Sequence, residues 1–277
     1  MNATDAGATA YIELLKSVLA ASIYEESAWS SSAMARSGPR RWLHLLLARA
    51  SMLLVRTRRF DEQARQVGQD WPLFGYTMAG HARLDNLQHC VETVLSEHIP
   101  GDLIETGAWR GGMTIFMRAL LKAHGDESRR VWVADSFEGL PVPTNDSDGW
   151  DYSQVDYLKV SLAQVQANFK RFGLLDERVL FLKGWFCDTL PTAPITSLAV
   201  LRLDGDMYSS TRDALVNLYH RVSPGGFVIV DDYYSWPACR RAVDEFRTDA
   251  GSVEPIQTID WTGAFWRVAK PSAEAAG

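Results

Sequence analysis

The sequence predicts an α/β fold, a doubly wound and mostly parallel sheet preceded by a helical N-terminal extension. Three observations predict it. From residue 101 onward, short apolar runs alternate with segments of helical periodicity, which is how parallel strands joined by crossover helices read. Several of those runs end on an acidic residue or a glycine turn, and open α/β sheets bind ligands at the carboxyl ends of their strands. The chain before Pro100-Gly101 reads as helices interrupted by one loop.

The elements follow in order. Tyr11, Leu14, Leu15, Val18 and Leu19 recur at helical spacing and predict an amphipathic helix over residues 9 to 22. Ser30 to Arg41 is rich in Ser, Arg, Gly and Pro and reads as a mobile loop. A helix over 42 to 55 is expected next, then helices around 60 to 67 and 81 to 97. Pro100-Gly101 punctuates the chain, which sets an extension and lid at 1–98 against a ligand-binding domain at 99–277. Beyond it, strands are predicted at Leu103 to Glu105, Val131 to Ala134, Val179 to Leu182, Leu198 to Leu203 and Phe227 to Val230. Helices are predicted at Met113 to His124, Val160 to Phe172, Thr211 to Arg221 and Ala238 to Arg247. Ile256 to Ile259 and Ala264 to Val268 read as a closing strand pair.

Composition narrows the function classes. With 47% hydrophobic and 22% charged residues the chain can bury an ordinary core. A net charge of -6 argues against nucleic acid as the main partner, because phosphate binding needs a basic field. Cys90, Cys187 and Cys239 are odd in number and widely spaced, which suggests neither a disulfide framework nor a cysteine zinc site and fits a reducing cytoplasm. No secretory signal is expected, since a basic region followed by an apolar run is missing at the N-terminus. The run Trp42 to Val55 is too short to span a bilayer and carries His44 and Arg49. Arginines 40, 41, 56, 58 and 59 flank it and would suit a surface amphipathic helix. The plainer reading is a helix packed on the domain or on a second subunit.

Glu105-Thr106-Gly107-Ala108-Trp109-Arg110-Gly111-Gly112 joins the first strand to the first helix after it. Its glycines let the backbone turn sharply and approach a ligand. The spacing departs from the G-x-G-x-x-G of dinucleotide folds, and the turn begins with an acid, which would repel a pyrophosphate but suit a sulfonium or ammonium. Asp135 ends the second strand, where an acid can hydrogen-bond a ribose diol. A ribose-bearing, partly cationic cofactor is S-adenosylmethionine before NAD. Its expected contacts are Glu105, Thr106, Gly107, Ala108 and Gly111 in the turn, Asp135 and Ser136 after the second strand, Gly184 and Asp188 after the third, and Asp204 beside them. Packing alone would also explain Gly107 and Gly111, and Trp185 can equally be a core residue.

The second cluster is Leu203-Asp204-Gly205-Asp206-Met207-Tyr208, answered by Asp231-Asp232-Tyr233. Neighbouring parallel strands lie about 4.8 Å apart. Their terminal carboxylates would repel one another unless a cation or proton sat among them. All-oxygen ligation selects Mg²⁺, Ca²⁺ or Mn²⁺, and Mg²⁺ keeps positions open for substrate. Asp204, Asp231 and Asp232 are the expected ligands. Asp206 is the first choice as general base, and Asp204 can serve as both ligand and base. The bland alternative makes these aspartates helix caps. On this reading a metal-bound acceptor hydroxyl loses its proton more readily and attacks the sulfonium methyl in line.

These segments together resemble the macrocin O-methyltransferase (TylF-type) family. The resemblance also draws on Asn86-Leu87-Gln88-His89-Cys90, Val131 to Phe137, Gly184-Trp185-Phe186 and Ser223-Pro224-Gly225-Gly226, and covers roughly residues 60 to 270. It implies a class I S-adenosylmethionine-dependent methyltransferase fold with a helical N-terminal lid. It also implies Mg²⁺ on the Asp204, Asp231 and Asp232 positions, and a dimer. The activity it implies is methylation of sugar hydroxyls on antibiotic natural products. The Arg-rich segment near 30 to 59 departs from the macrolide enzymes and looks more like the branch that methylates the noviose 4-hydroxyl of novobiocin-type aminocoumarins. Trp150, Tyr233, Tyr234 and Trp236 are candidates for aromatic walls of an acceptor cleft, and His89 for a side chain facing it; each is also a plausible core residue. The alternative acceptor is the 3-hydroxyl of a macrolide deoxysugar, and the competing classes are an NAD-dependent oxidoreductase on the same sheet and a non-catalytic cofactor-binding protein.

Overall fold

A computed structural model describes residues 3–25, 28–70, 72–144 and 146–269. Its centre is a seven-stranded sheet whose strands are, in chain order, β3 (Asp102–Thr106), β4 (Val131–Asp135), β5 (Val179–Lys183), β6 (Leu198–Leu203), β7 (Val222–Val230), β8 (Gln257–Thr258) and β9 (Ala264–Arg267). They lie in the order β5-β4-β3-β6-β7-β9-β8. The first five are parallel, and β9 returns antiparallel to β7. The order reverses between β3 and β6, which opens a crevice at their carboxyl ends. Thr106 pairs with Leu203 and Leu203 with Val230, so Gly107, Asp204 and Asp231 emerge at one level.

Strands β3, β4, β6 and β7 are buried on both faces, which is why they read as continuous apolar runs. Alternate residues feed two core layers. Leu103, Val133, Val200 and Ile229 face α5 (Gly112–Ala123) and α6 (Leu162–Arg171). Ile104, Leu201, Val228 and Val230 face α8 (Tyr208–Leu218) and α9 (Pro237–Asp249). The N-terminal helices α1 (Ala3–Leu19) and α4 (His81–Ser96) join the first layer through Ile12, Leu15, Leu19, Leu84 and Leu87.

The expected alternation holds, and the departures are local. The 30–41 loop and 42–55 helix become β1 (Ala28–Ser31), a single 3₁₀ turn, α2 (Gly38–Arg49) and β2 (Val55–Thr57). Gly38-Pro39 reads as a breaker, but proline is favoured in a first helical turn, where its missing N–H has no intrahelical partner anyway. The apolar run continues past the helix into β2, which pairs antiparallel with β1. The one-turn α7 (Phe186–Thr189) is too short to show a period, and α3 (Glu62–Gln66) falls within its expected span. Trp42 is 78% exposed and Leu46 64% exposed, so the apolar face of α2 is not packed on the domain. No helix among the described residues is long and apolar enough to cross a membrane.

Residues 139–144 and 146–160 belong to a long connection over the crevice. Tyr157 Oη donates to Pro72 O at 2.7 Å, Trp109 Nε1 donates to Tyr157 O at 2.9 Å, and Arg41 donates to the Gln154 carbonyl. His44 of α2 stands 3.4 Å from Asp156.

Candidate active site

The turn after β3 is built around Gly107. At φ +94° it occupies a region disfavoured for side chains, and a Cβ there would meet Asp204 O at 1.8 Å. The backbones of β3 and β6 therefore touch at the crevice. Gly111, at φ +83°, opens α5. Asp135 clasps this turn, accepting from the N–H groups of Ala108 at 2.7 Å, Trp109 at 3.2 Å and Phe137 at 2.6 Å. Burial pushes its carboxyl up against those hydrogen bonds.

The aspartate cluster meets two cations. Arg202, the one charged residue in β6, is fully buried and donates to Glu105, Asp204 and Asp231; the Asp204 bond is 2.8 Å. Arg83 of α4 donates to the other oxygen of Asp231 and, at 3.0 Å, to Asp260. Asp231 thus sits between two guanidinium groups. Burial drives Glu105 up to about 8 and Asp204 to about 6. For both, Arg202 acts in the opposite direction. Asp206 holds a left-handed φ of +55°, which aspartate tolerates better than most residues. Burial first, then Asp204 and Asp231, push its carboxyl to about 7. Asp232 is raised well above the usual carboxylate range by burial and its acidic neighbours.

Among the described residues, two buried carboxylate oxygens lack a hydrogen-bond partner, Glu105 Oε2 and Asp232 Oδ2. Such groups are costly unless a donor or cation meets them. Asp204, Asp231 and Asp232 each offer a carboxylate oxygen, and these lie within 4.8 Å of one another. An all-oxygen donor set with an unpartnered buried oxygen fits a hard divalent cation. Glu105 Oε2, on the wall of a cavity beside the glycine turn, fits an ammonium or sulfonium group.

Two cavities flank Asp204 and Asp206, which line both. One, of about 440 Å³, is walled by Gly107, Asp135, Ser136, Gly184 and the first turns of α7 and α8. The other, of about 330 Å³, is walled by Glu105, Ala108, Asp231, Asp232, Tyr152 and Trp236. Thr106 and Gly111 lie behind these walls. Thr106 is buried, with its hydroxyl on Arg202 O, while Gly111 starts α5. Asp188 is exposed on α7 and outside both cavities. Of the aromatic candidates, only Trp236 lines a cavity. Trp150 is exposed beneath Arg36, Tyr233 donates to Asp244, and Tyr234 pairs with Thr258. His89 packs edge-on against Phe227, away from the crevice. Arg83, Arg202, Tyr152 and Trp261 belong to the site without having been singled out in the sequence; only Arg202 left a signal, a charge inside an otherwise apolar strand.

The sequence profile described as Macrocin-O-methyltransferase (TylF) matches residues 8–268. The chain is 58% identical over 220 residues to the 8-demethyl-8-(2,3-dimethoxy-alpha-L-rhamnosyl)-tetracenomycin-C 4'-O-methyltransferase of Streptomyces olivaceus, covering 78% of this chain and 84% of that protein. It is 44% identical over 269 residues to the demethyldecarbamoylnovobiocin O-methyltransferase of Streptomyces niveus, covering 95% of each. The solved structure of the O-methyltransferase NovP superposes with a TM-score of 0.81 at 42% identity, over 95% of this chain and all of that one.

Proposed function

Since this chain belongs to the macrocin O-methyltransferase (TylF) family and is an O-methyltransferase, we propose that it uses S-adenosylmethionine and Mg²⁺ to methylate a deoxysugar hydroxyl of a glycosylated antibiotic intermediate. The first acceptor in this reading is the 4-hydroxyl of noviose on an aminocoumarin. The likeness to the novobiocin enzyme runs through the N-terminal arm as well as the sheet, which supports that choice. A rhamnosyl tetracenomycin is the second, supported by the 58% identity over a shorter span. The homodimer expected from the sequence belongs to the same reading. The exposed apolar face of α2 supports it, and light scattering on the purified protein reads it directly.

The observation that carries the proposal is the position of Asp206, on the wall common to both cavities and beside the aspartate cluster. S-adenosylmethionine supplies an electrophilic methyl on a sulfonium. Gly107, Asp135, Ser136 and Gly184 would hold its nucleoside part, and Glu105 its cationic end. Asp204, Asp231 and Asp232 would hold Mg²⁺, which makes a hydroxyl bound to it more acidic. An acceptor hydroxyl in the smaller cavity gives its proton to the Asp206 carboxylate. S-adenosylmethionine, once bound, would supply the methyl group to that oxygen and leave as a neutral thioether. Arg83 and Arg202 hold Asp231 between two guanidinium groups, and Arg202 also reaches Asp204, so the buried acids meet positive charge. Tyr152 and Trp236 give the acceptor an apolar wall.

The test is mass spectrometry of desmethyl aminocoumarin, rhamnosyl tetracenomycin and macrolide acceptors after incubation with protein, methyl donor and Mg²⁺. The expected result is the gain of one methylene mass on the aminocoumarin. A gain confined to the macrolide would overturn the acceptor choice.

A further inference from the structure

Asp213 is an acidic side chain that neither the fold nor the proton transfer uses. It sits on α8 one turn beyond Ser209 and Ser210, and all three line the larger cavity. The same cavity is walled by Leu140, Val142 and Phe186, so this carboxylate faces largely apolar surroundings. It meets no hydrogen-bond or ion-pair partner among the described residues, while Asp148 and Asp188 add negative charge nearby. Burial and those two acids push its carboxyl up. The slot is tight where α8 begins. A Cβ on Gly205 would stand 3.0 Å from Ser210 Cβ and 3.3 Å from the Phe186 ring. An apolar, flat-sided slot with one unpartnered acceptor on its wall suits a planar heterocycle that carries a hydrogen-bond donor.

We infer that Asp213 accepts a hydrogen bond from the exocyclic amine of adenine and so determines which nucleoside the cofactor cavity takes, an inference that rests on the S-adenosylmethionine reading above. Asp135 and Ser136 line the same cavity and would hold the ribose of the nucleoside whose base Asp213 reads. A purine with a carbonyl oxygen in place of the amine would set lone pairs against the Asp213 carboxylate. A site built to receive an N–H discriminates strongly against an analogue lacking it, because its own acceptor is then left unpaired.

The experiment is calorimetric titration of the protein with S-adenosylhomocysteine and with its deaminated form, S-inosylhomocysteine. The wild type should prefer the adenine form by at least about tenfold, the scale of one hydrogen bond to a charged group. Asp213→Ala should weaken the adenine form by that factor, leave the inosine form no weaker and so remove the preference. Asp213→Asn keeps the shape and can turn its amide N–H toward a carbonyl, so it should bind the inosine form more tightly than the wild type does. It decides the matter if the alanine variant does not fold. A preference that survives in Asp213→Ala, equal weakening of both ligands, or an Asn variant with unchanged affinity for the inosine form overturns the inference. A wild type that binds neither ligand overturns the cofactor reading and this inference with it.

Discussion

Replacing Arg202 by leucine would leave Glu105, Asp204 and Asp231 buried together without the guanidinium that all three share. Removing one partner of a buried ion pair costs about 3–5 kcal/mol. A melting temperature lowered by more than about 5 °C is therefore expected. The pH dependence has a definite sign. Glu105 is already driven to about 8, above its value in an unfolded chain. Stability linked to a raised carboxyl is full below the unfolded value and is lost as pH climbs through the folded one. The leucine variant removes the charge that opposes the rise at Glu105 and Asp204 and so raises both further, and its deficit should be smallest in mild acid and grow toward alkaline pH. A deficit flat with pH would refute the role given to Arg202. Asp206→Asn tests the proton acceptor. Turnover should fall by about 10²–10⁴-fold with S-adenosylhomocysteine binding unchanged; a loss under tenfold would move that role to Asp204. The aspartates themselves were legible in the sequence because each closes an apolar run. Their cations were not. Arg202 shows as a charge inside an apolar strand but not which acids it meets, and Arg83 reaches Asp231 only once α4 has packed against the sheet.

The central strands of the sheet were legible because both of their faces are buried and most residues between the turns are apolar. Elements fixed by distant partners were not, and α8 shows why. Its N-cap residue, Met207, makes no side-chain cap. The cap comes instead from Asp148, far back in the chain, which accepts from Ser209 N at 2.8 Å and from Thr144 N and Oγ1 at 2.9 and 3.1 Å. No local pattern around Met207 announces such a cap. Asp148→Ala should cost about 0.5–2 kcal/mol, the range for losing a capping side chain. It should also loosen the long connection over the larger cavity, weakening S-adenosylhomocysteine binding. Burial opposes ionisation of Asp148, but its bonds from Ser209 and Thr144 prevail and hold the carboxyl below its usual range. A depressed carboxyl stabilises above its unfolded value and stops doing so as pH falls through the folded one. The advantage of wild type over Asp148→Ala in thermal melts should therefore vanish in acid, well below pH about 3.9. An advantage that persists there would mean that the side chain acts by packing. The β1–β2 hairpin escaped sequence reading for a related reason. Strands of four and three residues carry too little period, and only their mutual pairing defines them.

Across the whole molecule, the reversal of strand order between β3 and β6 divides the crevice into two chambers with different chemistry. The larger is walled from the β3–β4–β5 side and by α8, and neither Asp231 nor Asp232 lines it. The smaller holds both, together with the aromatic wall. Asp204 and Asp206 face the two at once, beside Met78, Trp109 and Leu158. That division makes the two proposed cofactors separable. Chelation by EDTA should abolish methyl transfer, because a metal on Asp204, Asp231 and Asp232 serves the acceptor hydroxyl. It should leave S-adenosylhomocysteine affinity within about threefold, a coupling below about 1 kcal/mol, since neither Asp231 nor Asp232 lines the larger chamber. Added Mg²⁺ should restore turnover. Calorimetry with and without EDTA, run beside the turnover assay, measures both quantities on one preparation. Undiminished turnover in EDTA would remove the metal from the mechanism and leave Asp206 and the two arginines as the whole of the acceptor chemistry. Loss of cofactor binding in EDTA would show instead that the aspartates shape the larger chamber, and that the strand reversal does not separate the two functions.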